Sequence, residues 1–284
     1  MNLKTFLDSF GHIADAPGGV DVLRRLVLDL AVRGRLTEQT SDDEPAARLL
    51  KRLASERARD SSPRSRASSA GSRPVDDVPA LNLPTGWARP VLTDVAEVRL
   101  GRQRSPKNHV GDHMRPYIRA ANVTWAGLDL ADVLEMNFTD AEMQIYRLER
   151  GDIVLSEASG SPSGVGKPAM WNGELTECAF QNTLIRVRPF GADPHYLLLY
   201  FRAQALLGKF IPEARGVGIN HLGRGRLAGW RVPVPPLHEQ HRIVERAREL
   251  LDLCDCLLYT SDVYKRQRCT ARTPEGTRRD GGLR

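Results

Sequence analysis

Val232-Pro-Val-Pro-Pro236 divides the chain. Consecutive prolines lack backbone donors and hold φ near −65°, so a strand that reaches them must stop. Beyond them, from Leu237 to Asp255, Ile243, Ala247, Leu250 and Cys254 recur at steps of four, three and four, with Val244 and Leu251 beside them. That is heptad spacing, and it predicts a helix that packs on another long helix. The stretch before the prolines, from about Leu81 to Val234, must then hold a core of its own. The 284 residues leave room for one sizeable core and an accessory helical segment, and two compact domains would be crowded.

Inside that stretch, Asp152 to Ser156, Leu175 to Cys178 and Thr183 to Val187 read as strands bounded by turn residues. Pro194 to Phe210 reads as a helix with a broad apolar surface built from Tyr196, Leu197, Leu199, Tyr200, Ala203, Leu206 and Leu207. Strands and helices mix without regular alternation, which indicates an α+β domain with a mixed sheet rather than a doubly wound one. Upstream, Val22, Leu23, Leu26, Val27, Leu30 and Ala31 predict a helix over Asp21 to Arg33, with Gly34 placed to end it. A second helix is expected from Pro45, carrying Leu49, Leu50 and Leu53, and the pair should form a hairpin. Between Asp60 and Asp77 the chain is Ser, Arg, Pro and Gly with no large apolar residue before Val75, which reads as a linker that buries too little to fold.

The formal net charge of +6 must be located before it is used. Residues 256 to 284 hold seven Lys or Arg against three Asp or Glu, so the first 255 residues carry only +2. Four cysteines, Cys178, Cys254, Cys256 and Cys269, fit neither a disulfide framework nor a paired zinc motif. No apolar run approaches a membrane span, and no signal-peptide pattern opens the chain, so a reduced, cytoplasmic protein is expected.

Several catalytic words fail on inspection. Gly160 to Lys167 has the flavour of a phosphate loop, but Ser161 stands where its first glycine belongs and Pro168 where a magnesium-binding hydroxyl belongs. Asp193-Pro-His-Tyr196 resembles an adenine methyltransferase motif, yet no glycine-rich cofactor loop accompanies it, and a helix cap with first-turn proline explains it. His109 and His113 lie four apart, but Gly111 between them argues against a shared helical metal site. Ser156 to Ser163 contain no nucleophile elbow. The chain is therefore expected to have no catalytic site, no metal and no bound cofactor.

Two basic stretches remain. Arg99, Arg102, Arg104, Lys107, Arg115 and Arg119 face only Asp112 in their segment, and residues 202 to 231 hold six basic side chains against Glu213. Cations there would neutralise phosphates, and Asn, Gln or Arg would reach base edges. On charge alone, a solvated surface is the simpler account. Charge, hydrogen-bonding capacity and loop placement nominate Arg102, Arg104, Lys107, Arg119, Asn122, Lys167, Asn182, Asn220 and Arg224 for DNA contact.

The wording of the sequence favours DNA. Leu83-Pro-Thr-Gly-Trp87, Arg150-Gly-Asp-Ile-Val-Leu-Ser156, Gly164-Val-Gly-Lys167 and Val232-Pro-Val-Pro-Pro-Leu-His-Glu-Gln240, together with Leu23 to Leu36 and Asp43 to Lys51, closely resemble type I restriction enzyme specificity subunits. The resemblance runs from about residue 1 to residue 255. It implies a target recognition domain that reads one half of a bipartite site on double-stranded DNA and feeds a long spacer helix. It also implies partner modification subunits that use S-adenosylmethionine and a restriction subunit that uses ATP and Mg. The organisation expected is an N-terminal helical segment over 1–59, a linker over 60–80, the recognition domain over 81–235 and the start of the spacer helix over 236–255. Compared with the family plan the chain stops inside its first spacer helix, so a homodimer through 237–255 is one way to restore two halves. The rival readings are a stand-alone DNA methyltransferase, testable by methyl transfer without a partner, and a helix-mediated interaction protein that does not bind DNA. Residues 256–284 are expected to be an assembly artefact, because Cys256 to Gln267 matches the translation of a transposon end joined to its inverted copy.

Overall fold

In a computed structural model of the protein, Thr5, Ser9, His12, Ile13 and residues 16–59, 83–159, 164–211 and 220–270 are described, the last stretch by backbone alone beyond Leu257. The linker expected over 60–80 lies outside the described residues.

The helix expected near Asp21 spans Gly19–Val32 (α1) and buries Leu23, Val27, Leu28, Leu30, Ala31 and Val32. Gly34 follows it at φ +63°, where a Cβ would strike Pro84 and Trp87. The next helix, Ala46–Arg59 (α2), buries only Ala46 and Leu53. The expected hairpin of these two is corrected by their packing. The wide apolar face of α1 is covered by two other helices, Pro194–Leu206 (α4 below) and Leu237–Thr270 (α6 below), whereas α2 rests on the turn at Leu92–Asp94. There Arg57 donates to the Thr93 carbonyl and Leu53 lies against Gly191.

The remaining elements are, in chain order, Ala96–Leu100 (β1), Met114–Ile118 (β2), Val123–Thr124 (β3), Gly127–Leu128 (β4), Leu134–Asn137 (β5), Asp140–Tyr146 (α3), Ile153–Ser156 (β6), Ala158–Ser159 (β7), Pro168–Met170 (β8), Ala179–Phe180 (β9), Leu184–Pro189 (β10), Pro194–Leu206 (α4), Asn220–His221 (β11), Arg224–Ala228 (α5) and Leu237–Thr270 (α6). A four-stranded antiparallel sheet runs in the order β1-β10-β6-β8. A second sheet, β5-β2-β9, is mixed, because β2 pairs antiparallel with β5 and parallel with β9. The architecture is α+β with a mixed sheet.

Period-two alternation explains the layering. Val98, Ile153, Leu155, Ile185 and Val187 face one side of the central sheet, sharing a core with α1, α4 and α6. Val154, Ala169 and Leu184 face the other side, with Trp171 just past β8, against Ile118 and Phe180 of the second sheet. Both faces of β6 are covered, and all four of its residues are buried. The strand expected at Leu175 to Cys178 falls later, at β9. Asn172 binds Glu174 through both its backbone and its side-chain amide, which makes a turn of that stretch, and Glu177 sits at φ +53°.

Helix α6 extends beyond the stretch where the apolar spacing ends, with helical backbone to Thr270. Its stripe of Ile243, Ala247, Leu250 and Cys254 is almost wholly buried against α1 and α4. An ion pair from Arg24 to Asp255 ties the start of α1 to α6, and one from Arg242 to Asp43 ties α6 to the connection between α1 and α2. The partner helices that this spacing called for are thus supplied within the chain.

The segments that open and close the domain, 83–91 and 231–240, meet at one joint. Ala88 bridges Val234 and Val91 bridges Arg231, so the way into the domain pairs with the way out. Trp87 Nε1 donates to Glu239 at 2.9 Å, and Gln39 donates to the same carboxylate. Gln240 accepts the Asp193 N–H at 2.7 Å and donates to the Pro235 carbonyl at 2.9 Å. Both Glu239 and Gln240 are about 1% exposed or less. Burial pushes the Glu239 carboxyl above its ordinary range, and the two donors offset only part of that.

Candidate nucleic-acid interface

Antiparallel order decides where the loops go. The C-terminal ends of β1 and β6 and the N-terminal ends of β10 and β8 share one end of the central sheet: Leu100 stands opposite Ile185, Leu184 opposite Ser156, and Leu155 opposite Pro168. The chain leaving β1 carries Arg102, Arg104 and Lys107; the chain entering β8 carries Lys167; the turn entering β10 carries Asn182. From the second sheet, β2 ends at the same place, because Gln181 donates to the Ile118 carbonyl and Ala120 to Thr183 Oγ1. Strand β11 joins through β7, with Asn220 opposite Ser159. The segments that carry eight of the nine nominated residues therefore enter or leave the sheets at this end, while the 102–113 loop that bears Arg104 and Lys107 is tied back to Asn137. Arg224 sits further back along the β1 edge, its Nε 3.4 Å from the Val98 carbonyl.

The electrostatics differ from the linear count. Arg102 reaches Glu142 at 2.7 Å and the Asn137 carbonyl at 2.6 Å, and lies over the Phe138 ring. Arg119 clamps Asp132 through the carboxylate at 2.5 Å and the carbonyl at 3.0 Å. Arg115 lies near Asp140 and Glu177, and Arg99 near Glu97. Apart from Glu97, two residues from Arg99, these partners come from other segments of the chain. Among the described residues, only Arg104 and Lys107 of the six cations in this stretch have no carboxylate within ion-pair distance, and both are exposed. Arg104 Nε instead donates to His109 Nε2 at 3.0 Å.

Asn122 is a correction. It is 3% exposed, its amide donates to the Asp129 and Asp132 carbonyls at 2.9 Å each, and its Oδ1 accepts from the Arg119 N–H. Its two amide protons and its Oδ1 hold the 119–132 loop, and burial keeps the oxygen's second lone pair from a base. Arg102 is likewise spent on shaping its loop. Lys167 and Asn182 are half-buried, and their side chains have no hydrogen bond or ion pair to any described residue.

Asn137 was missed in the sequence, where nothing distinguishes it from any other strand-end asparagine. Its carbonyl holds Arg102, its Oδ1 accepts the His113 N–H at 2.9 Å, and its side chain packs where a Cβ on Gly111 would stand. One residue thereby anchors both ends of the 102–113 loop. Gly101 matters similarly, since a Cβ there would come within 2.2 Å of the Gln181 carbonyl oxygen.

The rejected motifs have structural explanations. Asp193 caps α4, accepting the Tyr196 N–H at 2.9 Å, and the Tyr196 hydroxyl is buried on the Pro233 carbonyl. A base could not stack on a tyrosine so enclosed. No cluster of three or more potential metal ligands occurs among the described residues. No helix among them is long and apolar enough to cross a membrane. Residues 160–163 of the phosphate-loop-like stretch lie outside the description, while Gly166, at φ +69°, packs against Phe210.

Comparison with known proteins adds a separate line. Residues 84–255 match the family model of the type I restriction modification DNA specificity domain. Two curated relatives from Escherichia coli are the specificity subunits of the type I restriction enzymes EcoAI, 30% identical over 250 residues, and EcoEI, 26% identical over 253. Each alignment takes in 84% of this chain, but only 41% and 40% of the relative, so the chain spans about two fifths of their length. Among solved structures, a chain from a study of complex assembly and conformational transition of the type I R-M system is similar in fold, with TM-score 0.50 at 20% identity, covering 78% of this chain and 55% of that one.

Proposed function

The chain belongs to the type I restriction modification DNA specificity family, and from that premise we propose that it reads one half-site of double-stranded DNA for partner subunits without catalysing a reaction itself. Residues 81–235 form the target recognition domain, and 236–255 begin the spacer helix on which modification subunits dock. Those partners bring S-adenosylmethionine, and a restriction subunit brings ATP and Mg; the setting is the cytoplasm. The contact set narrows to Arg104, Lys107, Lys167, Asn182 and Asn220, with Arg224 at its margin. One observation carries this reading: segments far apart in sequence that bear cations and amides enter or leave the central sheet at a single end. Phosphate contacts made there would supply affinity and register, while amides would supply sequence.

The test is the salt dependence of duplex binding by the chain assembled with its modification subunits. Each lost phosphate contact lowers the slope of log K against log salt by about 1. Arg104→Glu with Lys107→Glu should flatten it by about 2 or more and weaken all duplexes alike. An unchanged slope and affinity would remove this sheet end from the interface.

A further inference from the structure

The turn Gln181-Asn182-Thr183 is the hub of that sheet end. Gln181 N–H donates to Ile118, Asn182 N–H to Arg102 at 3.0 Å, and Leu184 N–H back to Gln181. The Thr183 carbonyl accepts from Glu157, and its hydroxyl oxygen accepts from Ala120. Four segments, at 101–102, 118–120, 157 and 184, thus hold three residues in place. Gly101 is the glycine that lets the first of these approach so closely. A side chain mounted here is fixed by backbone hydrogen bonds rather than by its own contacts, which is how a reading group is preorganised.

Which base such a group reads follows from what remains uncommitted. Guanine is read by Arg or Lys, and of the two only Arg presents a fixed planar fork. At this end Arg102 and Arg119 are bound to Glu142 and Asp132, and Arg104 is turned to His109. Asn182 keeps both halves of its amide, a donor and an acceptor side by side, partly exposed and without a partner among the described residues. That pair matches the N7 acceptor and N6 donor on the major-groove edge of adenine.

We propose that Asn182 is the base-reading residue of this interface, making a bidentate contact to an adenine in the half-site, while Arg104, Lys107 and Lys167 hold phosphates. The proposal rests on the DNA-reading function above and gives it a base and a residue.

The experiment uses the complete chain with its modification subunits and a duplex chosen by selection from a randomised pool. Each adenine is replaced in turn by 7-deaza-2′-deoxyadenosine, which lacks the N7 acceptor. Wild type should lose about 5- to 150-fold in affinity at one position. Asn182→Ala should lose a similar factor on the unmodified duplex, become indifferent to 7-deaza substitution at that position, and bind a non-specific duplex as wild type does. Asn182→Asp, nearly isosteric but repelled by N7, should lose at least as much on the unmodified duplex and regain affinity on the 7-deaza duplex, which separates reading from folding. Full 7-deaza sensitivity retained in Asn182→Ala, or equal weakening on specific and non-specific duplexes, would overturn the assignment while leaving the function standing. A wild-type complex that selects no sequence would overturn both.

Discussion

Replacing Trp87 by Phe is the sharpest test of the joint between the two ends of the recognition domain. The indole Nε1 is one of two side-chain donors to the Glu239 carboxylate, at 2.9 Å, with the carboxylate buried. A hydrogen bond to a charged group contributes about 1.5–3 kcal/mol, and its loss leaves a buried charge with a single side-chain donor. Trp87→Phe should therefore cost about 2–3 kcal/mol. In Glu239→Gln the charge is gone and Trp87 retains an acceptor, so the same tryptophan change should cost only about 1 kcal/mol, the worth of a neutral hydrogen bond. Urea denaturation of the two single variants and the double variant measures the difference directly. A coupling of about 1 kcal/mol or more is expected. Additivity within about 0.3 kcal/mol would show that Trp87 and Glu239 do not act on each other, and the joint would lose its physical basis.

Gly101→Ala places a Cβ within 2.2 Å of the Gln181 carbonyl, so it should displace the hub turn and reduce sequence discrimination more than total DNA affinity, measured by comparing specific with non-specific duplexes. The pH dependence of stability should carry an acid limb from Glu97. Burial raises its carboxyl, but Arg186 and Arg99 outweigh that and hold the folded value below the usual 4.5. Its contribution is therefore complete above 4.5 and lost as pH falls through the folded value. Glu97→Gln should flatten that limb in denaturation midpoints followed from pH 6 down to pH 3, and an unchanged limb would exclude Glu97 as its source.

What was legible in the sequence was local. The three- and four-residue spacing in α1, α4 and α6 survives in the structure because each stripe is buried by the neighbours such spacing demands. The apolar runs of β6 and β10 read as strands for the same reason, lying at the centre of a sheet covered on both faces. What needed the fold was long-range. Arg102 and Arg119 look free in the linear count, because Glu142 and Asp132 lie 40 and 13 residues away. Asn122 looks like a polar loop residue until its carbonyl partners are in view. The gathering of loops depends on the order β1-β10-β6-β8, which no local pattern encodes. The α1–α2 hairpin failed for a related reason: a short connection suggested neighbours, but the breadth of the α1 apolar face called for α4 and α6 instead.

The central claim, that one end of the β1-β10-β6-β8 sheet faces the duplex, is tested most directly by photocrosslinking from single positions in the assembled complex. A photoreactive phenylalanine analogue replaces Lys107, Lys167 or Asn182 at that end, or Lys51 or Phe190 at the opposite end. Crosslinks to DNA should arise from the first three and be absent from the last two. Crosslinks from Lys51 or Phe190, with none from the first three, would place the duplex on the wrong side of the molecule and contradict the account.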